Sequence, residues 1–160
     1  MNLSEKKILG IGEIKKRIPA LRKAGRSIVF TNGCFDLMHL GHVTYLQKAK
    51  KGNRVLIVGL NSDKSISNIK GPSRPICPQN SRAAVLSALT CVDFVVLFNE
   101  ETPLRIIKAI KPDILIKGAD YKGKEIVGSN IAKKIEIIPF VKGFSTSHII
   151  DRILKSNACT

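Results

Sequence analysis

Two histidines three residues apart bracket a glycine in "TNGCFDLMHLGH" (residues 31–42), with an aspartate and a second glycine before them and an apolar run upstream. His39 and His42 could bind a metal, serve as structure, or hold phosphate. Zinc takes three or four ligands, and neither an H-x-x-x-H spacing nor a cysteine cluster completes a set, since only Cys34 is near. A structural role is the commoner one for an isolated histidine, but two of them flanking a glycine at a helix start form a pattern. The phosphate reading accounts for more of the residues together. A helix N-terminus offers unpaired N–H groups and partial positive charge, a glycine lets the backbone approach an anion, and imidazole nitrogens can donate to phosphoryl oxygens. Gly41 lies between the two rings, and Gly33, just after the strand, would permit a tight turn close to the same ligand.

These residues converge only if the flanking segments hold them at one edge of a sheet. "SIVFT" (27–31) reads as a short buried strand, and a helix follows from Gly41 to Lys51. "RVLIVGL" (54–60) is a continuous apolar run of the kind found where both faces of a parallel sheet are covered. "IKGPSRPICP" (69–78) carries three prolines and a glycine and reads as a surface loop. Beyond it the patterns give a helix at 80–91, a strand at 94–98, and a helix at 102–111 with Thr102 as cap and Pro103 at its first position. Strands at 113–118 and 135–140 and a helix at 145–154, capped by Ser145, complete the series. Upstream, a helix at 13–24 with Pro19 as a kink is closed by Gly25. Strand and helix alternate throughout, which implies a Rossmann-like α/β fold in three layers: a parallel sheet of about five strands with helices on both faces. We expect one domain over residues 1–160, with an N-terminal helical segment (1–26) and a core (27–155). Ligands of such sheets bind beyond the carboxyl ends of the strands, where residues 31–42 lie.

Composition narrows the chemistry. Twenty-seven lysines and arginines against 12 acidic residues give a formal charge of +15, which favours polyanionic partners without naming one. The basic residues are dispersed, the chain has six Phe, two Tyr and no Trp to stack on bases, and no nucleic-acid-binding motif accompanies the charge; no specific nucleic acid is expected. No apolar stretch approaches the roughly 20 residues that cross a bilayer, and charges interrupt "MNLSEKKILGIGEIKKR" where a secretion signal would be apolar, so we expect a cytoplasmic protein with no membrane partner. Cys34, Cys77, Cys91 and Cys159 form no C-x-x-C pair, as suits reduced thiols. No paired carboxylates or Ser/His/Asp arrangement stands out, which counts against a hydrolase.

The stretch "GCFDLMHLGH" resembles the G-x-F-D-x-x-H-x-G-H signature of the cytidylyltransferase-like nucleotidyltransferases. "GFSTSHII" (143–150) is similar to the I-S-T-T-x-I element of that family, and "VLIVGLNSD" to its second strand and turn. With "KGPSRPICP", "RAAVLSAL", "VDFVV" and "TPLRIIKAIKPDILIKGADY", the likeness runs over residues 28–154 and is strongest to the family's heptose 1-phosphate adenylyltransferases. The resemblance implies transfer of AMP from ATP to D-glycero-D-manno-heptose 1-phosphate, giving ADP-heptose and pyrophosphate for lipopolysaccharide or another surface glycan. It also implies Mg2+ entering with ATP, a separate sugar kinase upstream, and a homodimer. In this likeness His39, His42 and Lys70 are catalytic, while Asn32, Gly33, Cys34, Phe35, Gly41, Gly118, Asp120, Ser145, Thr146 and Ser147 bind the nucleotide. Asp36 and Arg82 bind the sugar phosphate.

Plainer roles stand beside these. The Phe35 ring suits the core better than a stack on adenine, Lys70 could be a solvated lysine, Asp36 a helix cap, Arg82 a helix-surface charge, and Ser145 an ordinary N-cap. The chain departs from the family pattern at "NSR" (80–82), where relatives carry an acidic pair before the arginine, and at Ala119, where they often have a second glycine. His148 stands at a position of polar, uncharged residues and receives no role. Two other functions fit less of the sequence: a transferase joining CTP to a substrate such as glycerol 3-phosphate, and a non-catalytic basic protein that binds nucleic acid.

Overall fold

Apolar residues in every long strand supply side chains to both faces of a single sheet, and the computed structural model, which describes residues 5–157, shows six parallel strands. Cys159 and residues 1–4 of the N-terminal helical segment lie outside the described residues. The strands are β1 (Ile8–Leu9), β2 (Ser27–Gly33), β3 (Arg54–Asn61), β4 (Phe94–Phe98), β5 (Ile114–Gly118) and β6 (Lys134–Ile138), in the order β1-β4-β3-β2-β5-β6. The helices are α1 (Ile11–Lys23), α2 (Leu40–Ala49), α3 (Asp63–Lys70), α4 (Gln79–Ala88), α5 (Leu104–Ile110) and α6 (Thr146–Asn157). The fold is the expected Rossmann-like α/β architecture.

Alternation along the strands divides the core in two. Ile28 and Phe30 of β2, with Val55 and Ile57 of β3, meet Ile14 and Ile18 of α1 and Ile106, Ile107 and Ile110 of α5 on one face. Val29, Leu56 and Val58 meet Leu46 and Ala49 of α2 and Ala83 and Leu86 of α4 on the other. This two-sided covering is why the strands read as unbroken apolar runs. No described helix is long and apolar enough to cross a membrane.

The structure departs from the sequence reading in four places. β1, only two residues long, pairs in parallel with β4 through Ile8↔Val95 and Leu9↔Val96 and makes the sheet six-stranded; so short a strand leaves no periodicity to read. β2 runs on through Asn32 and Gly33, which pair with Gly59 and Leu60, so Gly33 ends the strand and does not form the turn after it. An unforeseen helix, α3, occupies 63–70 behind an N-cap at Ser62, whose side chain accepts from the Ser65 amide. Lys70 is therefore the last residue of a helix, and the proline loop begins at Gly71, whose φ of +93° suits glycine. At α5, Pro103 is the N-cap and the helix starts at Leu104.

Gly59, central in β3, has no space for a side chain: an added Cβ would lie 2.7 Å from Cζ of Phe30, backed by the sheet core. Gly59→Ala is expected to cost about 1–3 kcal/mol in urea denaturation through this overpacking, with the far-ultraviolet spectrum unchanged.

Candidate active site

The chain passes from β2 to β3 and β4 on one side and returns through β5 and β6 on the other, so β2 and β5 are neighbours at the point where the winding reverses. β2 pairs with β3 along its full length, but with β5 only through Val29↔Ile114 and Phe30↔Leu115. Beyond that pair a cleft of about 860 Å³ opens, within the range of small-molecule sites, and such switch points are where α/β sheets bind ligands.

The turn from β2 into α2 forms the cleft floor. Phe35 (φ +46°) and Leu37 (φ +48°) take left-handed conformations although neither is glycine, which costs on the order of 1 kcal/mol each. Packing and hydrogen bonds impose this shape. The Phe35 ring is buried in the core, as expected, and lies over Gly33, where a Cβ would come within 3.1 Å of it. Asp36, 1% exposed, accepts the amides of Ile76 and Cys77, each at 2.9 Å, and pairs with the Arg74 guanidinium at 2.7 Å. Burial by itself would raise its pKa, but the two amides and Arg74 outweigh that and hold the carboxyl below its ordinary value. Its carbonyl accepts from the Thr146 hydroxyl at 2.8 Å, which ties α6 to the turn. Both carboxylate oxygens hold the proline loop, and the cap of α2 is His39, so Asp36 is not a helix cap; it lines the cleft from the turn.

Arg82 is the larger correction. Its side chain is 1% exposed and lies beneath the cleft wall, where Nε donates to the Cys77 carbonyl, Nη1 to Cys34, and Nη2 to Asn61 and to the Asp63 carboxylate, at 2.6–2.9 Å. It is neither a surface charge nor a cleft residue; it clamps the β2–α2 turn, the end of β3, the start of α3 and the proline loop to one another.

The histidines stand where helix α2 begins. His39 is the N-cap, with its carbonyl accepting from the amides of His42 and Val43, and the first-turn amides ahead of them have no intrahelical carbonyl to meet. The two imidazoles stack with centroids 3.8 Å apart and planes 24° from parallel. Gly41 makes this possible: a Cβ there would come within 2.9 Å of the His39 ring and 3.4 Å of Phe144. Nδ1 of each ring is buried and has no partner in the protein. Burial lowers the pKa of His39, and burial, His39 and Lys70 together lower that of His42 to about 4, against a smaller opposing pull from Asp36. Both rings are neutral at pH 7, stacked face to face, with unmet polar atoms and a lysine close by. That arrangement accepts negative charge readily.

Lys70, Gly118, Asp120, Ser145, Thr146 and Ser147 form further wall, together with Asn32, Gly33, Cys34, Phe35 and Asp36. Ser145 caps α6, its hydroxyl accepting from the His148 amide. Every residue singled out in the sequence lines this one cleft except Arg82. The sequence reading missed Arg74 in the proline loop, Lys117 at the end of β5, Tyr45 on α2, and Phe140 and Phe144 before α6. Lys117 did leave a signal, a lysine directly following the apolar "ILI" of the strand "DILIKG". Among the described residues no group of three or more His, Cys, Asp or Glu is placed to hold a metal ion.

An open parallel sheet whose switch point carries a stacked H-x-G-H pair at a helix start is the architecture of a nucleotidyltransferase. The cytidylyltransferase-like family pattern matches residues 30–152, and the chain belongs to that family and is a nucleotidyltransferase. It is similar to the bifunctional protein HldE of a Nitratiruptor species, 56% identical over 94% of this chain, and to that of Helicobacter pylori, 50% identical over 98%. The chain spans 32% and 33% of those two proteins, about a third of their length. Among solved structures it resembles a lipopolysaccharide core biosynthesis protein from Thermoplasma volcanium, with TM-score 0.58 and 29% identity over 74% of this chain and 98% of that one. A pantoate-beta-alanine ligase from Francisella tularensis shares the fold at TM-score 0.57 and 18% identity, over 92% of this chain and 78% of that one.

Two measurements check this site. Arg82→Leu leaves four oxygens of separate segments without their donor and is expected to cost about 3–5 kcal/mol in urea denaturation. Lowering the pH tests the histidines. The unfolded chain protonates His42 near pH 6.5 and the folded chain near pH 4, so stability is full above pH 6.5 and declines as pH falls toward 4, by at most about 3 kcal/mol. His42→Gln flattens that decline in a pH series of urea midpoints.

Proposed function

We propose that this chain transfers AMP from ATP to D-glycero-D-manno-heptose 1-phosphate, releasing pyrophosphate and forming ADP-heptose for a surface glycan. The observation that carries the reading is the neutral, stacked His39–His42 pair at the start of α2, facing a cleft that also holds Lys70 and the hydroxyls of Ser145, Thr146 and Ser147. The run of segment resemblances over 28–154 supports heptose 1-phosphate as acceptor, and so does the likeness to a protein of lipopolysaccharide core biosynthesis. The relatives of which this chain matches a third are bifunctional, which fits a sugar kinase acting upstream.

In the proposed reaction an oxygen of the sugar phosphate attacks the α-phosphorus of ATP, the new P–O bond forms, and the bond from the α-phosphorus to the bridging oxygen breaks as pyrophosphate leaves. A phosphate monoester is anionic at neutral pH, so the nucleophile requires no general base. Catalysis then rests on positioning and on neutralising charge as it shifts to the leaving group. Each imidazole donates one N–H to phosphoryl oxygens, the first-turn amides of α2 add others, and Lys70 reaches from the end of α3. Magnesium entering with ATP would supply charge neutralisation, although the described residues of this chain form no cluster of three or more His, Cys, Asp or Glu to hold it.

The test is pyrophosphate release with ATP and with CTP, each against heptose 1-phosphate and glycerol 3-phosphate. Turnover is expected with ATP and the heptose, and His42→Ala should lower kcat by about 10²–10³-fold under conditions where circular dichroism shows the variant folded. Activity confined to CTP rejects the adenylyl assignment.

A further inference from the structure

Lys117 is a buried cation that the reaction as described does not use. It is 4% exposed, at the end of β5 between the buried Ile116 and Gly118, and it borders the cleft where β2 and β5 part. Its ammonium has three N–H donors, and the hydrogen bond it makes is to the neutral Asn32 amide oxygen, at 2.5 Å across the split. The Tyr121 ring lies 4.9 Å away. Among the described residues no carboxylate comes within 4 Å of it, unlike Lys50 and Arg54, which hold Asp93 and Glu136 in ion pairs. The charged group that faces it is Asp120, from the turn after β5, and Tyr121 beside it is the one other titratable side chain in contact. Burial outweighs the pull of Asp120 and lowers the Lys117 pKa to about 8.

A buried ammonium without a counter-ion is costly, and simple strapping of β2 to β5 does not require one, because a neutral donor would satisfy the Asn32 amide equally. The charge becomes favourable when an anion enters the split. Resting on the transferase reading above, we propose that Lys117 is a phosphate contact of the reaction centre, its ammonium meeting a phosphate oxygen where β2 and β5 diverge, across the cleft floor from the His39–His42 pair. Two sources share that chemistry, the α-phosphate of the nucleotide and the phosphate monoester of the acceptor.

Calorimetric titration of the folded chain with ATP and, separately, with inorganic phosphate at pH 8.5 distinguishes them. Both ligands are already largely or wholly deprotonated there, so an anion that raises the Lys117 pKa draws a fraction of a proton from the buffer, read from the heats in two buffers of different ionisation enthalpy. Lys117→Met is expected to abolish that uptake and weaken binding by about tenfold to a hundredfold in one arm, the ATP arm for the α-phosphate or the phosphate arm for the acceptor. Lys117→Arg is expected to retain affinity at pH 9.5, where the wild-type lysine has lost its charge. A folded Lys117→Met chain with unaltered affinity and proton uptake in both arms overturns the proposal; so does the absence of uptake in the wild type, should the methionine variant fail to fold. Both arms read binding, so a wild-type chain that binds ATP and phosphate but turns over no sugar phosphate refutes the adenylyl assignment and leaves Lys117 as an anion contact.

Discussion

The guanidinium of Arg82 is the interaction on which the shape of the site depends. Four oxygens from four separate segments converge on its buried side chain, and three of them are backbone carbonyls. A planar fork with several fixed N–H directions can satisfy such a set, whereas an ammonium would leave part of it unmet. Once the β2–α2 turn and the proline loop are fastened to one point, Asp36 can fasten them a second time through the amides of Ile76 and Cys77 and through Arg74. The left-handed conformations of Phe35 and Leu37 persist because the surroundings determine them from both sides.

That rigidity has an electrostatic purpose. Two imidazoles kept neutral by burial, a lysine at the end of α3, the first-turn amides of α2 and a buried ammonium at the end of β5 lie around one cleft. In the proposed reaction, water would have to reorient to meet a shifting phosphoryl charge, whereas dipoles held in place by the sheet and its helices would not. The carboxylate buried beside them, Asp36, is paired with Arg74 and two amides, so its pull on His42 is smaller than the opposing effects of burial, His39 and Lys70. Gly41 contributes by absence, since a side chain there would push the His39 ring out of its place in the stack.

The fold was legible because its main signals are local. β3 and β4 are apolar on both faces, α6 has its serine cap, and the order of strands and helices admits few parallel arrangements. The short pieces were not legible. β1 becomes a strand only because β4 offers it an edge, and α3 carries polar residues and a lysine end that read as the approach to a proline loop. For the site, the spacing of His39, Gly41 and His42 already implied a helix start, and the residues of "GCFDLMHLGH", Gly118 and the Ser145–Ser147 stretch do meet at one cleft. Arg82 was misjudged because a charged side chain is usually exposed, and only long-range packing shows when its hydrogen bonds are made inside the protein.

By itself, then, the chain order determined an α/β sheet with a phosphate-suited turn after its second strand, since strand pairing, helix caps and glycine freedom are properties of a few neighbouring residues. Tertiary structure decided what those residues face. Whether Lys117 lies in water or in a crevice, whether Asp36 is free or spent, and whether two histidines stack or diverge depend on segments up to 110 positions apart, as in the bond from Thr146 to Asp36. No local pattern encodes such meetings, because they arise only when the folded sheet brings the ends of β2, β3 and β5 to one edge.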